Sequence, residues 1–249
     1  MLRTGLILVT SLLGVGSRVV HGQETIVADR PGIGSGSFVV GGGTLQLEAG
    51  AEFAHSDADQ YSLGQLLVRF GLPWFELGAQ LNSFVVKRSA ADANDEGFQD
   101  VGLRIKGRLW SPEDIGLTVS LMGAVNFPTG SAFLTGDEVI PTATLLGDYT
   151  ISDRWALSSN LAYTYGPGDL SDLVLLTLTP SLLIAPRLGL GAYAGYAGFY
   201  TEGGDLHFLE GGFALALTYG VQLDLNGGVE VDSGDFFLGL GIAARLLKR

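Results

Sequence analysis

The chain of 249 residues carries 26 acidic against 14 basic side chains and no cysteine. That balance excludes nucleic-acid binding by electrostatic attraction, and the missing thiols exclude disulfides, thiolate catalysis and thiolate metal sites. Only 16% of residues are charged and mean hydropathy is +0.33, so the chain is apolar; yet beyond its first residues no run reaches the ~20 apolar residues of a spanning helix.

Residues 1–22 read as a signal peptide. Arg3 gives a basic start, Leu6 to Val15 a short apolar core, and Val20-His21-Gly22 small residues ahead of a cut before Gln23. Their removal takes away Arg3 and Arg18 and no acid, leaving a mature chain near −14. Residues 23–43 do not alternate and end in Gly41-Gly42-Gly43. They are expected to form a flexible periplasmic leader or a plug folded into a lumen, with Asp29 and Arg30 pairing with lumen charges.

From Thr44 to Leu246 one unit recurs: a stretch of about ten residues with apolar side chains at every second position, then a turn. The spacing predicts strands near 44–54, 60–71, 73–85, 97–110, 114–127, 140–151, 153–166, 171–184, 186–200, 206–219, 220–232 and 234–246. Turns after every second strand are tight (Gly71-Leu72-Pro73, Ser111-Pro112-Glu113, Ser152-Asp153, Ala185-Pro186, Tyr219-Gly220), whereas the intervening connections are mostly longer and polar. Period-two strands with short and long connections in turn define an all-β fold: an up-and-down antiparallel transmembrane barrel of about twelve strands over residues 44–249, with both termini periplasmic.

In the clearest strands one face is free of charge. Leu45, Leu47, Ala49, Ala51 and Phe53 oppose Gln46, Glu48, Gly50 and Glu52; Val101, Leu103, Ile105 and Leu109 oppose Asp100, Arg104, Lys106 and Arg108. The strands near 171–184 and 186–200 alternate least clearly. Trp74, Trp110 and Trp155 fall at the predicted periplasmic ends, and Phe53, Phe84, Phe127, Tyr163, Tyr165, Phe199, Tyr200, Phe236 and Phe237 near the outer ends, the pattern of two interfacial aromatic belts. The chain ends Arg245-Leu246-Leu247-Lys248-Arg249 rather than on an aromatic residue, so a weak or variant insertion signal is expected.

Ala28-Asp29-Arg30-Pro31-Gly32, the first strand Thr44-Leu45-Gln46-Leu47-Glu48-Ala49-Gly50, Leu72-Pro73-Trp74-Phe75-Glu76-Leu77 and Gln99-Asp100-Val101-Gly102-Leu103-Arg104 resemble segments of the meta-pathway phenol-degradation outer-membrane protein family, also described simply as transporters. The resemblance covers nearly the whole mature chain. It implies an outer-membrane barrel concerned with small-molecule passage, with small apolar or aromatic compounds as solutes and no catalytic motif to carry over.

The inward polar residues are the candidate solute path: Glu48, Glu52, Arg69, Glu76, Arg104, Lys106, Arg108, Asn126, Glu210, Asp224 and Glu230. Bases gather on the second to fourth strands and acids on the first, tenth and eleventh, which either sets a transverse field across the lumen or pairs charges to fill it. His21 leaves with the signal, His55 falls in a loop and His207 toward lipid or the rim, so no Ser/His/acid grouping or histidine metal site is expected, nor a cofactor. The predicted function is a passive outer-membrane channel, not an enzyme. Its expected partners are outer-membrane lipids, a small solute and the barrel-insertion machinery. A non-conducting structural or adhesive barrel is the alternative, and a barrel-embedded enzyme a weaker third.

Overall fold

The computed structural model describes residues 26–30, 32–88, 95–112 and 114–247. The expected signal peptide lies outside the described residues. The strands are β1 (Leu45–His55), β2 (Asp59–Leu63), β3 (Leu66–Gly71), β4 (Phe75–Leu81), β5 (Phe84–Arg88), β6 (Asp95–Phe98), β7 (Val101–Trp110), β8 (Leu117–Phe127), β9 (Ile140–Thr150), β10 (Trp155–Thr164), β11 (Leu173–Ala185), β12 (Leu190–Thr201), β13 (Gly204–Thr218), β14 (Val221–Glu230) and β15 (Phe236–Leu247). No helix long and apolar enough to cross a membrane occurs among the described residues.

All strands join one antiparallel sheet, and β15 returns to pair with β1 from Leu45↔Leu247 to His55↔Phe236. β1 meets β3 along its first half and β2 along its second. β2 and β3 are therefore two halves of one barrel strand, as are β4 with β5 and β6 with β7, and the ring has twelve members. Closure removes the free edges that hydrocarbon would not tolerate. Ile26 and Leu247, the first and last described residues, lie on one rim, here the terminal rim, with the turns β3–β4, β7–β8, β9–β10, β11–β12 and β13–β14; the other connections lie on the distal rim and include the two longest described, 128–139 and 165–172.

The period-two pattern fixes which face looks inward. Gln46, Glu48, Arg104, Lys106, Asp224 and Asn226 are buried, while Leu103, Ile105, Leu121, Leu161, Leu225 and Leu240 are exposed on the outer wall. An apolar outer wall around a polar interior is the reverse of a soluble core and suits a hydrocarbon solvent. β11 and β12, the least legible pair, follow the same rule: Thr177 and Tyr193 are buried while Leu178 is exposed. Their weak signal comes from small inward residues, Gly191, Gly195 and Ala197, which carry little contrast.

Three departures from the expected strands have local causes. Strands 60–71, 73–85 and 97–110 each break at the same level, at Gly64-Gln65, Asn82-Ser83 and Gln99-Asp100. Gly64 takes φ +72°, open to glycine at little cost. Across the break side chains and shifted amides replace the regular ladder: the Asn82 amide donates to the Asp100 carbonyl and Gln99 N–H to the Ser83 carbonyl. β8 starts at Leu117 rather than 114, and β12 at Leu190 rather than 186, each behind a left-handed glycine, Gly116 and Gly189. His55, expected in a loop, is the last residue of β1 and meets Asp59 at 2.7 Å.

Candidate functional site: the lumen and the segment that crosses it

Residues 26–43 enter the barrel at the terminal rim, where Ile26 N–H donates to the Tyr219 carbonyl at 2.8 Å, and leave by it, where Gly43 N–H donates to the Gly71 carbonyl at 2.9 Å. Between these points the segment runs past the inward faces of β1, β3, β4 and β7 to β11, and of β13 and β14. Gly and Ser leave its main chain bare, and buried amides and carbonyls must find partners. The wall supplies them. Glu48 accepts from Asp29 N–H at 3.0 Å, Glu210 from Ile33 N–H at 3.0 Å, Asn160 from Ser35 N–H at 2.6 Å, Asp148 from Ser37 N–H at 2.5 Å and Glu76 from Val40 N–H at 2.8 Å. In the other direction, Gln46 donates to the Val27 carbonyl, Lys106 to Gly36, Ser120 to Ser37 and Arg69 to Phe38.

One side chain of the segment ties the wall charges together. The Asp29 carboxylate lies 2.5 Å from Arg104, 2.8 Å from Lys106 and 3.5 Å from Arg69. Arg69 also reaches Glu48 at 2.8 Å and Glu76 at 2.7 Å, and Glu76 lies 3.4 Å from Arg104 and 3.7 Å from Lys106. Three carboxylates and three cations thus balance in a region where each is at most 9% exposed. Burial pushes the Asp29 carboxyl up, and the opposing fields of Arg69, Lys106 and Arg104 outweigh it, holding the group below the ordinary carboxylate range. Arg30 runs the other way, to Asp224 at 3.5 Å and Gln65 at 2.9 Å. Its guanidinium lies over Gly50 and Gly241, where any Cβ would collide with it.

Three cavities flank the segment. One of about 350 Å³ reaches the distal rim and is lined by Phe199, Phe208, Phe237, Ile33, Glu52 and Asn226 among others. Phe208 stands at the centre of its aromatic side, with ring centroids 5.9 Å from Phe199 and 6.2 Å from Phe237. A second, about 280 Å³, backs onto the strand breaks and is lined by Gln65, Gln80, Asn82, Ser83 and Gln99. It shares Gly32, Ile33, Glu52 and Asn226 with the first. A third, about 80 Å³, lies between the segment and β9 to β13, beside Tyr193 and Glu210.

The predicted path residues therefore fall into groups. Glu48, Arg69, Glu76, Arg104 and Lys106 come together around Asp29; Asp224 meets Arg30; Glu210 holds the segment; Glu52 lines both larger cavities. The bases are thus matched to acids rather than set against them across the lumen. Asn126 is half-buried over Gly102. Two residues stand apart from the path. Arg108 is exposed at the terminal rim, beside the bulge between Arg108 and Trp110. Glu230 folds onto the β14–β15 connection, accepting from the N–H groups of Asp232 and Ser233. Sequence reasoning left Asp148, Asn160, Gln46 and Ser120 out of the path, although strict alternation along β9, β10, β1 and β8 marks each as inward. It also placed Phe199 and Phe237 in an outer belt, and here they line the lumen. His207 lies on the outward face, its Nδ1 2.8 Å from the Tyr196 hydroxyl.

A closed antiparallel ring with an apolar outside and a polar interior defines a β-barrel of the outer-membrane class. Residues 28–246 match the family described as "Putative MetA-pathway of phenol degradation", and the chain belongs to that family. No curated protein matches the chain. Among solved structures, the COG4313 outer membrane channel from Pseudomonas putida F1 is similar in fold, with TM-score 0.66 and 13% identity over 87% of this chain and 99% of that one. The NanC porin aligns with TM-score 0.58 and 9% identity over 81% of this chain and 100% of its own. The KdgM porin in complex with disordered oligogalacturonate aligns with TM-score 0.55 and 11% identity over 81% and 99%.

Proposed function

We propose that the protein is a passive channel for small apolar or aromatic molecules, standing in the outer membrane with both termini periplasmic, and that residues 26–43 are its plug. The observation that carries this reading is the chamber of about 350 Å³ at the distal rim, walled by Phe199, Phe208 and Phe237 and floored by Ile33 of the plug. Aromatic surface turned inward has no use against lipid and gives a small apolar solute a place to leave water. The similar channel and porin folds support the reading, as does the family's description in terms of phenol degradation. The chain is assigned no catalysis, and its assembly is assigned to the barrel-insertion machinery that such strands require.

Conductance in planar bilayers tests the reading. The mature protein should show small, infrequent openings, and deletion of residues 24–40 should raise conductance and accelerate uptake of a small aromatic solute in cells. No channel events from either form at any voltage would rule it out. One observation favours the alternative, a barrel that does not conduct: residues 26–43 and the charge network around Asp29 occupy the lumen below the chamber. Unchanged uptake in a deletion strain would support that second reading.

A further inference from the structure

We infer that the distal chamber selects small aromatic ammonium ions over neutral and anionic aromatics of the same size. The inference rests on the channel reading and adds the charge of the solute. The chamber combines aromatic walls with acceptors. Phe199, Phe208 and Phe237 present π-systems whose faces attract cations. Glu52 supplies a carboxylate at the junction with the neighbouring cavity. Asn226, only 7% exposed and lining both cavities, carries a buried side-chain oxygen that lies over Gly239 and has no hydrogen-bond partner. A buried acceptor left unpaired is costly, and a ligand bearing N–H groups would satisfy it. A carboxylate, an unpaired carbonyl oxygen and three phenyl groups together favour a protonated amine with an aromatic body; among the described residues no Lys or Arg lines the chamber itself to receive a carboxylate ligand. Of the cations nearest the chamber, His55 meets Asp59, and Arg30 is shared among Asp224, Gln65 and the field of Glu52, with its Nε making no hydrogen bond.

The approach to the chamber has the same sign. Distal connections carry Asp57, Asp137, Glu138, Asp169, Asp172, Glu202, Asp232 and Asp235, with no Lys or Arg in residues 56–58, 128–139, 165–172, 202–203 or 231–235. The two distal bases sit opposite acids in the ladder, Arg88 against Asp59 and Lys87 against Asp95. A mouth of one charge concentrates counter-ions and repels anions.

Benzylammonium, benzyl alcohol and benzoate differ mainly in charge and serve as probes. Titration calorimetry on the mature full chain in detergent should show benzylammonium bound about tenfold tighter than benzyl alcohol, the size of one cation–π contact plus a partly solvated charge pair, with benzoate weakest. Glu52→Gln should bring the ammonium down toward the alcohol, while Phe208→Leu should weaken both. Equal binding of all three, a preference for benzoate, binding of none, or a preference that survives Glu52→Gln would each overturn the inference. Channel events without cation preference would sink it and leave the channel standing, whereas ammonium binding without channel events would do the reverse.

Discussion

Asp29 holds more of the lumen together than any other side chain of the segment it belongs to. Removing its charge leaves Arg104 and Lys106 sharing Glu76 in a buried site, and breaking a buried pair typically costs about 3–5 kcal/mol. Asp29→Asn should therefore release residues 26–43, seen as new proteolytic cleavage there in folded, detergent-solubilised protein, while Arg108→Ala, at the exposed rim, should leave them protected. The pH dependence follows from the direction of the Asp29 shift. A carboxyl held below its unfolded value contributes stability that is complete above the unfolded pKa of about 3.9 and is lost only as pH falls through the lower folded value. The Asp29 contribution to protection should then be unchanged from pH 7 to about 4 and begin to fall below that; release with a midpoint between 5 and 6 would assign the docking to another group. Much of this was legible beforehand. Asp29 and Arg30 stood out as charges in a run of Gly and Ser, and parity along β1, β3, β4 and β7 put their partners inward. Which base meets which acid was not legible, because it depends on where a non-alternating segment passes among them.

The strands show where pattern reading works and where it stops. Twelve members were legible because alternation repeats over long stretches and glycine or proline punctuates them. The interruptions at Gly64-Gln65, Asn82-Ser83 and Gln99-Asp100 were not, because one irregular pair of residues barely disturbs a period-two count. They become visible only when neighbouring strands are laid side by side and the irregular pairs fall in one row. The outer wall gives a sharp test of the strand assignment. Leu121, in the middle of β8 and 48% exposed, faces hydrocarbon, so Leu121→Arg should cost about 2–4 kcal/mol of folding stability in vesicles. Ser120→Ala, one residue away and inward, should leave the wall intact and remove only the bond to the Ser37 carbonyl. Equal penalties for the two would mean that the faces have been assigned the wrong way round.

The closed ring does not need the segment inside it. Each of the twelve members finds a partner on both sides through the main-chain ladder, with β1 and β15 sealing the circle over the full length of β1. A chain lacking residues 24–40 should accordingly keep its β-type circular dichroism and its resistance to unfolding in cold detergent, while exposing Glu48, Glu76 and Asp148 to the lumen. Loss of folding in that variant would make the segment a structural core. The global form was the easiest property to read from the sequence, since apolar outside and polar inside is written into every strand. The contents of the lumen were hardest, since the aromatic lining of Phe199, Phe208 and Phe237 has the same residue types as an interfacial belt and differs from it only in parity.

The wall grips residues 26–43 chiefly by peptide groups, at Asp29, Ile33, Ser35, Ser37 and Val40 for the amides and at Val27, Gly36, Ser37 and Phe38 for the carbonyls. A clamp that reads the polypeptide rather than its side groups is indifferent to most of the alphabet. Exchanges at Ile33, Ser35 or Phe38 should be absorbed with the loop still seated, so the shape and chemistry of the chamber floor can be retuned by single replacements without rebuilding the barrel.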